Sequence, residues 1–350
     1  MKSRKYLARV AAVFIVLFGT RLGFAALGPT DIGVIVNDSD PNSVVVANYY
    51  QMRRHIPDAN MIHVSFPVTP TTYSMDPSEL NQIIATVNAV APNVQALAVA
   101  WTVPFRVGCM SLTSALAMGY DAAECASTTS TCIYPTRTNP YFDSNSSTPY
   151  TTYGIRPAMM LAGTSVAAVE AMIDRGVASD GTYPAGTGYL LKTSDLTRSL
   201  PRSCEFPRIV SHFGGTVAMQ ALNADYIQNK PDVLFYFTGL ANVPYINTNT
   251  FLPGAIGDDF TSCGGYMTDS SCGQTTVLDW VDGGASGTGA TASYGTVREP
   301  CAFTEKFPSP RALIQHYLNG DTAIEAYWKS VIMPDEGVFV GEPLAAPFKK

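Results

Sequence analysis

Cys263 is followed by Gly264 and Gly265, and His212 stands ahead of Phe213-Gly214-Gly215. A thiol next to backbone without side chains, together with an imidazole that can take its proton, supplies the parts of nucleophilic acyl transfer. The thiolate attacks, and backbone N–H groups hold the developing oxyanion. Cys272 competes for the same sulfur. It is close enough in the chain to shut a small surface loop, and a disulfide there removes the nucleophile. Cys301, after Glu299-Pro300 at the end of a predicted strand, is a second candidate thiol, because open α/β sheets place ligand sites at strand ends. A proline-fixed turn with a structural bridge accounts for it equally well. The expected state of these cysteines is therefore structural, and catalysis by Cys263 or Cys301 with His212 as base is the alternative.

Other patterns are weaker. Asp38, Asp40 and Asn42 have the alternate spacing of a calcium loop, but Ser43 stands where the sharp turn needs Gly and Tyr49 where a bidentate Glu is required. Helix capping by Asp40 explains most of the pattern. Gly287-Thr288-Gly289 imitates a dinucleotide fingerprint in the reverse order, after a helix and before a strand. His55, His63, His212 and His316 are scattered, and Asp258-Asp259 reads as loop. There is no Gly-x-Ser-x-Gly elbow, phosphate-cradling loop or His-Glu-x-x-His helix. No metal and no cofactor is expected.

The elements that must position these residues alternate. Ile32–Val36 is a β-branched run ending in the polar turn 37–40, and Asp40-Pro41 then reads as a helix cap with Pro at the first position. Val45, Tyr49, Met52 and Ile56 form its apolar stripe. The cycle repeats with a strand over 61–66, a cap at Asp76-Pro77, the stripe Leu80, Ile83, Ile84 and Val87, and a strand over 94–103. Strands alternating with helices predict an α/β fold of three layers, a mainly parallel sheet with helices on both faces. Cysteine- and Ser/Thr-rich residues 109–153 read as a disulfide-tied loop insertion. Beyond it the pattern predicts helices over 164–177, 217–228 and 275–281 and strands over 189–192, 233–237 and 290–297. Two helices between 310 and 332 and a strand over 337–340 end the chain. No tandem repeat is visible.

The N-terminus carries Lys2, Arg4, Lys5 and Arg9, then the apolar run 10–18, then Gly23-Phe24-Ala25, which reads as a secretory signal cut after Ala25. The run is shorter than the roughly 20 residues of a membrane-spanning helix, so a soluble periplasmic or secreted protein is expected, with residues 26–350 as one α/β domain. Lys2, Arg4, Lys5, Arg9 and Arg21 leave with the signal and no acid does, taking the formal charge from −6 to −11. A net negative field without a basic stripe speaks against nucleic acid as a partner. An exported protein oxidises its cysteines. Cys125 with Cys132 and Cys263 with Cys272 can close short loops, while Cys109 can pair with Cys204 or Cys301. Seven cysteines are an odd number, so at least one thiol is free or pairs with another molecule.

Several runs occur together: Asn37-Asp-Ser-Asp-Pro41, Tyr189-Leu-Leu-Lys-Thr-Ser-Asp195, Phe237-Thr-Gly-Leu240, residues 292–301, and Val340-Gly-Glu-Pro-Leu-Ala-Ala-Pro-Phe348. In these the chain resembles an uncharacterised family of exported bacterial proteins found in genomes that carry exosortase, the membrane sorting enzyme linked to extracellular polysaccharide. The resemblance implies an envelope or exported location, with exported proteins or extracellular polysaccharide as partners. A fainter likeness is to caspase-like cysteine peptidases, including the gingipain branch, where an apolar strand ends in His-Gly and the next ends near the nucleophilic Cys. Here strand 233–237 ends in Thr238-Gly239. The Gly fits that pattern and the His does not. The reading is thus a non-catalytic or degenerate envelope protein that binds at the strand C-terminal ends, through Asp38, Asp40, Thr238, Gly239 and Glu299. The alternative is a caspase-like cysteine hydrolase.

Overall fold

A computed structural model describes residues 26–126, 134, 137–283, 288–299 and 301–350. The predicted signal segment, the Cys125–Cys132 bridge and the Gly287 motif lie outside the described residues. The strands are β1 (Ile32–Asn37), β2 (Met61–Val64), β3 (Ser74–Met75), β4 (Ala96–Val99), β5 (Arg106–Val107), β6 (Met110–Ser111), β7 (Ala158–Met160), β8 (Thr187–Lys192), β9 (Ala218–Asn223), β10 (Val233–Thr238), β11 (Phe251–Asp259), β12 (Ala292–Thr296) and β13 (Gly337–Gly341). The helices are α1 (Pro41–Arg54), α2 (Pro77–Val90), α3 (Leu112–Met118), α4 (Pro149–Tyr153), α5 (Val166–Ser179), α6 (Leu196–Ser203), α7 (Phe206–Phe213), α8 (Val277–Val281), α9 (Pro310–Leu318) and α10 (Ala323–Trp328).

Ten of these strands form one sheet in the order β2-β1-β4-β7-β13-β12-β11-β10-β8-β9, flanked by the helices, and β3, β5 and β6 form a small second sheet. Every pairing in the large sheet is parallel except β12 with β13. The sheet therefore has two halves whose strands run in opposite directions. Each half is wound alike: its first strand in the chain lies one in from the edge, its second at the edge, and the rest follow inward. This repeated doubly wound order is invisible as sequence repetition. β1 and β10 are buried along their whole length, as strands covered on both faces must be.

Local chemistry starts the helices where the caps predict. The Asp40 carboxylate accepts the Asn42 N–H at 3.0 Å, and Asp76 accepts that of Ser78 at 2.7 Å. Each satisfies a backbone donor that the helix itself cannot.

Four expectations are corrected. The buried face of α1 carries Val46, Ala47, Tyr50 and Arg54, while Val45 and Met52 are exposed. The cause is long-range, since Arg54 pairs with buried Glu342 and with Asp180 and turns the helix toward them. The helix expected over 217–228 is the edge strand β9. Its good helix formers are overruled by a full ladder to β8 from Ala218 to Asn223. Residues 109–153 contain β6, α3 and α4 and bury Tyr141 and Asn139, so the described part of the insertion is packed structure. Asp258 and Asp259 are the last residues of β11 and are buried, not loop.

Candidate functional sites at the two strand-end rims

Because the halves oppose each other, their strand C-terminal ends lie on opposite edges of the sheet, and each edge has a crevice, the first-half one where the winding reverses between β1 and β4. The first-half crevice has a volume of about 560 Å³ and sits over the ends of β1, β4 and β7. Asp40 reaches it as the cap of α1 and Ser165 as the cap of α5, where the Ser165 hydroxyl accepts the Ala168 N–H at 3.2 Å. Thr102, just after β4, holds its far wall. Its hydroxyl donates to the Gly163 carbonyl at 3.0 Å and lies 3.2 Å from the Gly163 N–H. Trp101 is fixed by an indole N–H bond to the Pro104 carbonyl at 3.0 Å and an edge contact with Phe66. Tyr73, half-buried against Phe105, completes the apolar part. The rest of the lining is short hydroxyl side chains and aliphatic groups, and Asp40 is its one charged residue among those described. Asp38 is exposed beside this rim and pairs with His63 at 2.7 Å.

The second-half crevice is smaller, about 260 Å³, and brings Arg198, Thr261, Ser262, Glu299 and Cys301 together over the end of β11. Arg198 donates to Asp195 at 2.7 Å and to the Thr261 hydroxyl at 3.2 Å. Glu299 accepts the Cys301 N–H at 2.8 Å. Cys301 and Ala302 both have left-handed backbone, with φ of 60° and 55°.

Below this crevice the strand ends are filled. Thr238 is 1% exposed, and its carbonyl accepts from Arg202 at 2.7 Å. A Cβ on Gly239 would lie 2.3 Å from the Arg198 carbonyl oxygen, so glycine is what lets α6 pack there. The Thr193 hydroxyl donates to the Gly239 carbonyl at 2.6 Å. Arg202 is ion-paired with Asp258, both buried. Asp259 accepts the Leu240 N–H at 3.0 Å, and its second oxygen has no partner among the described residues. Burial pushes the Asp259 carboxyl up to about 7 and also raises that of Asp258.

The cysteine candidates do not present thiols. Cys263 is bonded to Cys272 as the spacing predicts, and Cys301 and Cys109 are each disulfide-bonded. A bridged sulfur has no thiolate to attack with. Exposed Cys204 is the free cysteine among the described residues. His212 is exposed on α7, 3.3 Å from the Gln315 amide oxygen, in a separate depression with Arg208 and Arg311. The second crevice thus brings Glu299 and Cys301 together, while Thr238 and Gly239 are consumed in packing and His212 stands apart.

Sequence reading missed the first crevice's Tyr73, Trp101, Thr102 and Ser165. Ser165 carried a usable signal, an N-cap hydroxyl ahead of an apolar stripe. The others become neighbours only through the sheet.

Among the described residues no three His, Cys, Asp or Glu side chains form a group that could hold a metal, and no helix is long and apolar enough to cross a membrane. No family model matches the chain, and no curated protein matches it. One solved structure, described as "Structure of Protease", is similar over 91% of this chain and 78% of that one, with 9% sequence identity and a TM-score of 0.49.

Proposed function

We propose that the protein is an exported, non-catalytic binding protein of the cell envelope that holds a segment of extracellular polysaccharide in the first-half crevice. The observation that carries this reading is the lining of that crevice: the half-buried ring of Tyr73, with the buried indole of Trp101 in the wall, beside short hydroxyls, and Asp40 as the one charged residue. Aromatic faces receive the C–H face of a sugar ring, and hydroxyls exchange hydrogen bonds with sugar hydroxyls at little desolvation cost. A volume of about 560 Å³ lies within the range of small-ligand clefts, and the place is the winding reversal where α/β sheets put ligands. An anionic ligand is disfavoured by Asp40 and by the acidic chain as a whole.

Export rests on the signal-like residues 1–25, and the disulfides at Cys109, Cys263 and Cys301 are compatible with it. The resemblance to exosortase-associated proteins makes the exported matrix the place where such a ligand occurs. The cysteine-hydrolase alternative requires a thiolate, and its two candidate sulfurs are bridged.

The test is titration of the mature protein with neutral oligosaccharides, followed by nuclear magnetic resonance, for the wild type and for Tyr73→Ala and Thr102→Val. Shifts confined to the first crevice and weakened in both variants are expected. Absence of binding, or cleavage of a labelled protein substrate that Cys263→Ser abolishes, would sink the reading.

A further inference from the structure

The first crevice does not end at α5. Thr164 and Ser165 also form the rim of a larger groove of about 900 Å³, whose floor is the small-residue face of α5 at Ala167, Ala168 and Ala171. Along α5, from Val166 to Ala171, that wall is about 7.5 Å long at the rise of a helix. Its opposite wall belongs to the second half of the molecule, the loop 242–247 and α8. Tyr245 stands at this wall, 48% exposed and packed against exposed Tyr226 with ring centroids 4.9 Å apart. The α8 wall carries Asp279 and Asp282, and Asp282 is anchored by the Thr164 N–H at 3.1 Å. Neither lining contains a Lys, Arg or His. Arg175, whose charge Asp282 feels, donates to the Val281 and Ala290 carbonyls and is not part of the wall.

The long groove therefore has aromatic rings toward both ends, acids between them and no cation along it. A compact neutral ligand uses one end only. A linear chain bearing ammonium groups uses the aromatic faces, through stacking and cation–π contact, and the carboxylates at once.

We propose that crevice and groove form one row of subsites for a linear amino-sugar polysaccharide with free amino groups, running from Tyr73 past Thr164 to the Tyr226–Tyr245 pair, with Asp279 and Asp282 receiving the ammonium groups. This rests on the crevice reading above and names its ligand class.

The test is calorimetry on the mature protein in mildly acidic buffer, with the dimer and hexamer of glucosamine, the hexamer of N-acetylglucosamine, and hexalysine. The expected result is a glucosamine hexamer held about tenfold or more tighter than the dimer, since added subsites act intramolecularly. The hexamer should also bind tighter than its acetylated counterpart, by a margin that shrinks with salt. Tyr245→Ala, at an exposed ring, should weaken the hexamer about two- to fivefold, as loss of one exposed cation–π contact does, and leave the dimer unchanged. If dimer and hexamer bind alike through Tyr73 and Tyr245→Ala changes nothing, the groove proposal fails and the crevice reading stands. If hexalysine binds as tightly as the glucosamine hexamer, the groove selects charge and not sugar, which overturns the proposal. If no saccharide binds, both readings fall.

Discussion

Replacing Asp259 by Asn should change how the stability of the protein depends on pH. The carboxyl is 3% exposed at the end of β11, and burial lifts it from its ordinary value of 3.8 to about 7. Below about pH 4 both folded and unfolded chains hold the proton, and the site contributes no pH dependence. Between there and about 7 the unfolded chain has released a proton that the folded one keeps, so the wild type loses stability as pH rises, at about 1.4 kcal/mol per pH unit. Above 7 the full penalty of about 4 kcal/mol is in place, because a charge is then held where water cannot reach it. Asn cannot ionise and its carbonyl can still accept the Leu240 N–H. Its new amide donors face the spot where the second carboxylate oxygen has no partner among the described residues, which adds a pH-independent cost of about 1–3 kcal/mol. The variant's stability relative to wild type should thus rise by about 4 kcal/mol between pH 4 and 8 and then level off. Urea unfolding followed by the fluorescence of buried Trp280 and Trp328, with disulfides intact, measures this by linear extrapolation. Parallel curves for the two proteins across that range would refute the assignment of a raised carboxyl to Asp259.

Arg202→Met leaves Asp258 buried without its guanidinium and should cost about 3–5 kcal/mol in the same unfolding measurement, with much of the loss recovered by adding Asp258→Leu. Removing the Cys263–Cys272 bridge with a double Ala variant should cost about 2.5–3 kcal/mol from loop-closure entropy, read from the urea midpoint. Cys272→Ser alone should free a Cys263 thiol that alkylates and yet cleaves no labelled protein substrate, since His212 lies on α7 in a separate depression.

What was legible in the chain follows interaction range. The caps at Asp40 and Asp76 and the bridge between Cys263 and Cys272 involve residues close in sequence, and spacing alone found them. The face of α1 was misread because Arg54 answers to Glu342, far along the chain. β11 contains Pro253, Gly254 and Gly257, residue types that weaken the sequence signal of a strand. In the fold Gly254 has φ +84° beside a register shift, and Gly257 makes room for the Trp280 ring. The caspase-like pattern pointed to the end of β10, which Arg202 and α6 fill. The first crevice draws on residues near positions 40, 73, 101 and 165, which no local pattern joins.

The placement of β13 between β7 and β12 has a consequence for how the molecule is made. As the chain is synthesised, both halves present an inner strand with open hydrogen-bonding groups until the last of the ten strands arrives to join them. Two such bare edges are adhesive. Strand pairing of this range is slow to form, and partly finished chains aggregate. The sheet is therefore completed by its last strand in chain order, and until β13 docks the inner edges of β7 and β12 stay open to wrong partners.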